Sequence, residues 1–301
     1  MNYYNEIKNR FINNEAYKQI KDYSKNRYEL NTYYEVGKLL VEAQGGEERA
    51  RYGDGLIKEY SKRLTRELGK GYSERNLKYM RKFYIFQKGQ PLAAQLTWSH
   101  YIILLSIKNI DKINYYIDQI IRYNLGKRQL QEKIKSNEYE RLDEKTRNKL
   151  VNKERLTISD EIKHPIIIKN KYYTKNITER MLKEIILERI DDFLNELGEG
   201  YAYIGNEYKI KLGNNYNYID LLLFNIKYNS YVVIELKVTE LKKEHIGQID
   251  SYMNYIDKNI KTIYHNKTIG IIIAKRDNSF VIEYCSNKNI FNTTYELVSN
   301  D

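Results

Sequence analysis

Asp220 opens the apolar run Leu221-Leu222-Leu223-Phe224, and fifteen positions later Glu235-Leu236-Lys237 closes a second run, Tyr231-Val232-Val233-Ile234. A strand that is apolar on both faces should not end in an acid and a lysine unless something offsets their desolvation. A divalent cation does so directly: two carboxylates hold it, and it polarises a phosphate or activates a water. Lys237 lies two residues after Glu235, so both side chains share one strand face. An Asp followed by acid-x-Lys on a neighbouring strand suits Mg²⁺-dependent phosphodiester cleavage, with Mn²⁺ as a substitute. In that scheme Asp220 and Glu235 are metal ligands, the Leu236 backbone carbonyl adds a third oxygen, and Lys237 handles the attacking water or the charge on the phosphorane. Gln248 and Tyr252, spaced i, i+4 on the next helix, share a face that can look onto the strand ends. Lys242, Lys243 and Lys275 are candidates for contacts to a nucleic-acid backbone. Taken alone, an E-x-K triplet or an Asp before an apolar run is ordinary and structural. The ordered set is more specific than its parts.

The elements that position these residues follow from periodicity. Residues 1–145 read as helical, with apolar residues at 3.6-type spacing and breaks at Gly45-Gly46, Gly53, Gly55, Gly69, Gly71 and Pro91. Residues 146–176 are polar and read as a linker with irregular chain around Pro165. Residues 177–301 change pattern. Thr178–Leu197 predicts an amphipathic helix. Strands are expected at 201–204, 207–212, 218–226 and 231–237, a helix at about 242–258, and two last strands at 269–274 and 280–285. The expected fold is two-domain α/β (α+β): an all-α N-terminal domain with a helix-turn-helix pattern, then a mixed sheet flanked by helices.

In the N-terminal half, Gln44 to Leu68 leads to a tight turn, Gly69-Lys70-Gly71-Tyr72, and Ser73 is a good N-cap for a helix to about Gln87. In a helix-turn-helix reading, Arg75 and Asn76 meet base edges while Lys78, Arg81 and Lys82 bind phosphates. The ordinary alternative is an αα-hairpin with a basic exposed face. Trp98 reads as a core aromatic, His100 as a hydrogen-bonded structural histidine, and His245 as surface or substrate-adjacent rather than a ligand.

The net charge of +11 favours a polyanionic partner, nucleic acid before membrane. With one cysteine, Cys285, no intramolecular disulfide or zinc cluster is encoded. Cys285 itself reads as a buried, inert thiol. No secretory signal or membrane-length apolar run is seen, so a cytoplasmic protein is expected. The 31 tyrosines are spread along the whole chain, so composition alone gives no single tyrosine a role.

The segments Tyr201–Gly205, Tyr218–Leu222, Val233–Lys237 and Gly247-Gln248 with Tyr252 resemble the C-terminal domain of the YhcG-type family. That family belongs to the PD-(D/E)XK (restriction-endonuclease-like) nuclease superfamily. Gln44–Tyr52, Gly71–Leu77, Met80-Arg81 with Phe83-Tyr84, and Gln95–Tyr101 resemble its helical N-terminal domain. The likeness covers most of the chain in order and thins from Asp143 to Lys175. It implies a mixed sheet between helices, Mg²⁺ as cofactor, Asp220 and Glu235 as ligands, Lys237 as catalytic lysine, and Gln248 and Tyr252 on the helix after the catalytic strand. Ile219 stands where the superfamily name has proline, as is usual in the YhcG group. Members often carry another acid on the helix before the sheet, for which Glu184 and Glu188 are both candidates. The function expected is an Mg²⁺-dependent endonuclease acting on nucleic acid, DNA first. The alternative is a non-catalytic nucleic-acid-binding or toxin-system protein on a nuclease fold. A homodimer and a protein partner of the N-terminal domain are further expectations.

Overall fold

A computed structural model describes residues 3–18, 25–46, 54–88, 95–171, 177–283 and 285–299. Pro91, Tyr284 and the stretch 47–53, which belong to the expected breaks and motifs, lie outside the described residues. The chain divides into two compact units, Met1–Lys135 and Ser136–Asp301. No helix among the described residues is long and apolar enough to cross a membrane.

The first unit is helical: α1 (Tyr3–Lys18), α2 (Lys25–Ala43), α3 (Asp54–Leu68), α4 (Glu74–Gln87), α5 (Trp98–Leu104), α6 (Ile110–Tyr123) and α7 (Lys127–Lys135). Gly37 sets how closely α2 and α4 pack. A Cβ there would fall 2.1 Å from the Met80 carbonyl oxygen, so only glycine fits. Leu77, Met80 and Phe83 form the buried face of α4. Trp98 packs its ring on Phe83 and Tyr33, with centroids 5.5 and 4.7 Å away. His100 is buried, and its Nδ1 accepts the Thr97 N–H at 3.2 Å. His100 is thus the buried, hydrogen-bonded histidine expected, whereas Trp98 packs on buried rings but is itself only half-buried.

The second unit contains α8 (Glu144–Val151), α9 (Ile158–Glu161), β1 (Ile166–Asn170), α10 (Glu179–Glu188), α11 (Ile190–Leu197), β2 (Tyr201–Leu212), β3 (Asn215–Asn225), β4 (Ser230–Glu240), α12 (Lys243–Asn259), β5 (Ile269–Arg276), α13 (Ser279–Glu283) and β6 (Ile290–Ser299). The strands form one sheet of six, ordered β1-β6-β5-β4-β3-β2. β2–β3 and β3–β4 pair antiparallel, whereas β4–β5, β5–β6 and β1–β6 pair parallel. Leu221, Leu223, Val232, Ile234 and Leu236 join a core with Leu182, Ile186, Phe193 and Leu197 of α10 and α11. Leu222, Val233 and Ile272 join a second core with Ile249, Tyr252, Met253 and Ile256 of α12. The strand runs read from the sequence as apolar on both faces are thus covered on both sides.

Three expectations are corrected. Of the expected polar linker 146–176, the described part, 146–171, is not a linker, because β1 joins the sheet and buries Ile166 and Ile168. Buried Arg141 anchors this stretch: it donates to the Pro165 carbonyl at 2.8 Å and forms an ion pair with Glu196. Glu196 in turn accepts the Ile167 N–H at 2.9 Å. The expected helix Thr178–Leu197 is broken at Arg189 (φ −136°, ψ 47°), which lets α10 lie on β4 and α11 on β1 and β2. The expected strand at 280–285 is instead α13 and the chain after it, since joining the parallel strands β5 and β6 requires a crossover.

α12 lies close on β5 because Gly270 has no side chain. A Cβ there would sit 2.6 Å from Met253 Sδ and 2.9 Å from Ile249 Cδ1. Gly270→Ala is expected to cost about 1–3 kcal/mol in urea unfolding by forcing the helix and strand apart.

Candidate active site

β3 pairs with β4 only from Leu221 onward, so the strands part at Asp220. The Asp220 side chain continues the ladder that the backbone gives up: its Oδ2 accepts the Leu236 N–H at 3.0 Å. In extended chain the N–H and C=O of one residue share a strand edge. The Leu236 carbonyl therefore lies on the edge that faces Asp220.

Glu235, on the next strand, is 2% exposed. Its Oε1 accepts from Lys237 Nζ at 2.9 Å, and its buried Oε2 has no hydrogen-bond partner. Burial, and then the negative charge of Asp220, push its pKa up to about 7 against the pull of Lys237. Burial also works against the charge of Lys237. The Glu235 hydrogen bond and the charges of Glu235, Glu179 and Asp220 outweigh it and hold the lysine above its ordinary range.

Tyr252 and Gln248 sit one turn apart on α12, with Gln248 Nε2 donating to Tyr252 Oη at 3.0 Å. Tyr252 is buried, and its hydroxyl pKa is raised by that burial, opposed by Gln248 and reinforced by the charge of Glu235. Lys242 and Lys243 are exposed at the start of α12, and Lys275 is exposed at the end of β5. His245 is not a surface residue. It is buried, its Nδ1 accepts the Lys242 N–H at 3.2 Å, and burial followed by the charge of Lys237 lowers its pKa. It closes the first turn of α12.

Two carboxylates, one with a buried oxygen lacking a partner, plus a backbone carbonyl make a hard-oxygen donor set. Among the described residues no group of three or more His, Cys, Asp and Glu side chains could hold a metal. A cation here would keep water or phosphate oxygens in its remaining positions, which suits Mg²⁺.

In the helical unit, α3, a turn with Gly69 (φ 92°) and Gly71 (φ 114°), and α4 form the expected hairpin. Ser73 caps α4 by accepting the Asn76 N–H at 3.3 Å. Asn76 is poorly placed to read bases. Its Nδ2 donates to the Gly71 carbonyl at 3.0 Å and its Oδ1 accepts from Trp98 Nε1 at 3.1 Å. Lys78 pairs with Glu74 at 2.8 Å and Arg81 donates to Gln44 at 3.2 Å. Arg75 and Lys82 are exposed, 5.7 and 5.9 Å from the Tyr79 ring centroid.

Residues 159–301 match the model of the YhcG PDDEXK nuclease domain, and residues 9–141 match that of the DUF1016 N-terminal domain. The chain belongs to the YhcG-type family. It is 28% identical to "Putative nuclease YhcG" of Escherichia coli (strain K12) over 283 residues, covering 81% of this chain and 76% of that protein. Among solved structures, a repair endonuclease from Pyrococcus abyssi is 17% identical over 41% of this chain and 49% of its own, with a TM-score of 0.29. An EndoMS–dsDNA2 complex is 19% identical over 42% of this chain and 48% of its own, with a TM-score of 0.31. This chain thus spans about half the length of either structure.

In this YhcG-type nuclease domain the helix acid is not where the sequence suggested. Glu184 is 58% exposed and pairs with Arg180, and Glu188 is exposed. Glu179 approaches the site instead, its Oε2 3.6 Å from Lys237 Nζ. One turn later, Lys183 bridges Glu207 at 2.6 Å and Asp220 at 3.4 Å. The available signal was Thr178, whose side chain accepts the Met181 N–H and so fixes Glu179 as the first residue of α10. Lys183 lies beside the buried Leu182 on the same helix, an unusual place for a lysine without a carboxylate to face.

Because the folded pKa of Glu235 is raised, the stability it contributes is full below its unfolded value and is lost as pH rises through about 7. In EDTA, Glu235→Gln is therefore expected to match the unaltered chain near pH 4.5. Above pH 7 it should exceed it by about 3 kcal/mol in urea unfolding.

Proposed function

We propose that this chain is an Mg²⁺-dependent endonuclease that hydrolyses phosphodiester bonds of DNA, with Mn²⁺ able to substitute. The observation that carries this reading is the buried Glu235 beside Asp220, one oxygen without a partner and its pKa raised to about 7. Two carboxylates that repel one another where strands part are relieved by a cation.

Asp220, Glu235 and the Leu236 carbonyl would hold the metal, which when bound supplies Lewis-acid polarisation of the phosphate and an activated water. Lys237 is held charged, so it acts as a hydrogen-bond donor rather than a base. It stabilises the negative oxygen that develops as water oxygen adds to phosphorus and the bond to the leaving oxygen breaks. Lys183 fixes the Asp220 carboxylate from α10, and Glu179 steadies Lys237 from the same helix. Gln248 and Tyr252 present a linked amide and hydroxyl toward the same charges. Lys242, which pairs with Glu244 at 3.6 Å, Lys243 and Lys275 are exposed and can meet phosphates, and Arg75 and Lys82 offer the same chemistry in the helical unit. The net charge of +11 supports a polyanionic substrate.

The test is cleavage of linear, supercoiled, branched and single-stranded DNA, and of RNA, in Mg²⁺, Mn²⁺ or EDTA. Cleavage of DNA that needs the cation and falls about 100-fold or more in Lys237→Ala and Asp220→Ala is expected. Cleavage unchanged in both variants overturns the site. Salt-sensitive binding with no cleavage in any cation would favour a non-catalytic nucleic-acid-binding protein.

A further inference from the structure

Beyond Asp220 the β2–β3 hairpin runs on as an arm. β3 pairs with β4 only over 221–225, while β2 and β3 stay paired from Tyr208↔Ile219 to Leu212↔Asn215. The two faces of this arm differ. Ile210 and Ile219 are buried and, with Tyr208 and Leu212, pack into the α12 core. The outward face carries two cross-strand pairs, Lys209↔Tyr218 and Lys211↔Tyr216.

Tyr216 is 57% exposed and Tyr218 is 52% exposed, and both lysines are exposed. Lys209 Nζ stands 3.9 Å from the Tyr216 ring centroid, which steadies the ring and keeps a positive charge beside it. Residues 208–219 contain no acidic side chain. Packing does not account for two exposed rings interleaved with lysines, because the face that packs is the other one.

We propose that this arm is a binding site for an unpaired DNA strand, which leads it to Asp220. Tyr218 and Tyr216 stack bases while Lys209 and Lys211 meet phosphates. Residues i and i+2 of a strand are about 7 Å apart, twice the roughly 3.4 Å rise of a stacked duplex strand. Rings so spaced suit successive bases of an extended strand and not the closed stack of a duplex. Tyr216 lies four residues from Asp220, about 13 Å along the strand, so the stacked bases are within a few nucleotides of the carboxylates. This deepens the nuclease reading by naming the form of substrate at the site, and rests on it only for the choice of polymer.

The experiment measures binding of the full chain to a fluorescent single-stranded oligodeoxynucleotide in EDTA, where nothing is cut. Its result therefore stands apart from any failure of the proposed cleavage. Tyr216→Ala with Tyr218→Ala is expected to weaken binding about tenfold or more, while Tyr216→Phe with Tyr218→Phe keeps it, since phenylalanine retains the stacking face. Lys209→Gln with Lys211→Gln is expected to lower the salt slope by about 1.4. All four side chains are exposed, so unfolding curves of the variants should match the unaltered chain. Unchanged affinity in the double-alanine variant overturns the proposal. So does an equal loss for a duplex of the same sequence, or a loss confined to an oligoribonucleotide.

Discussion

Two carboxylates meet where β3 leaves β4, and one of them is almost fully out of water. Without a counter-charge this is costly, because burial and mutual repulsion act in the same direction on Glu235. The sheet nonetheless holds the pair in place. Asp220 is tied to the Leu236 N–H, and Glu235 sits in a strand whose neighbouring residues lie in two hydrophobic cores. Lys237 offsets part of the negative charge but leaves Glu235 Oε2 without a partner.

Other features follow from keeping that pair supplied with groups. α12 is drawn against β5 at Gly270, and this brings Tyr252 into the range of the Glu235 charge. α10 begins at the Thr178 cap and so delivers Glu179 and Lys183 to the same end of the sheet. The break at Arg189 lets α11 turn away over β1 and β2 while α10 keeps its place on β4. Strength in the body of the domain and strain at its edge belong to one design, in which rigid elements hold a site that is unfavourable by itself.

Much of this was legible in the sequence where chemistry and periodicity coincided. Asp220, Glu235 and Lys237 announce themselves because charged residues end apolar runs, and Gln248 with Tyr252 share a helix face at the spacing that brings them together. The order helix, strands, helix, strand was also readable. What escaped depended on partners distant in the chain. β1 is five residues long within a polar stretch, and it is a strand because β6 pairs with it across more than a hundred positions. Val281 and Ile282 have β-type side chains, yet the parallel crossover makes the segment helical. Glu184 and Glu188 were the acids the sequence offered on this helix, but only the Thr178 cap decides which residues of α10 look inward. Asn76 looked like a base reader because nothing local revealed that Trp98 and Gly71 occupy its amide. Among the many tyrosines, only exposure and cross-strand pairing single out Tyr216 and Tyr218.

The most direct measurement is proton release on adding Mg²⁺ to the full chain near pH 7, by calorimetry in buffers of different ionisation enthalpy. A cation that takes the Asp220–Glu235 position must displace the proton that Glu235 partly retains there. Mg²⁺ binding with proton release in the unaltered chain, and with none in Glu235→Gln, is the predicted result. Mg²⁺ binding of equal strength in both, with no proton released from either, would contradict a cation site built on these carboxylates.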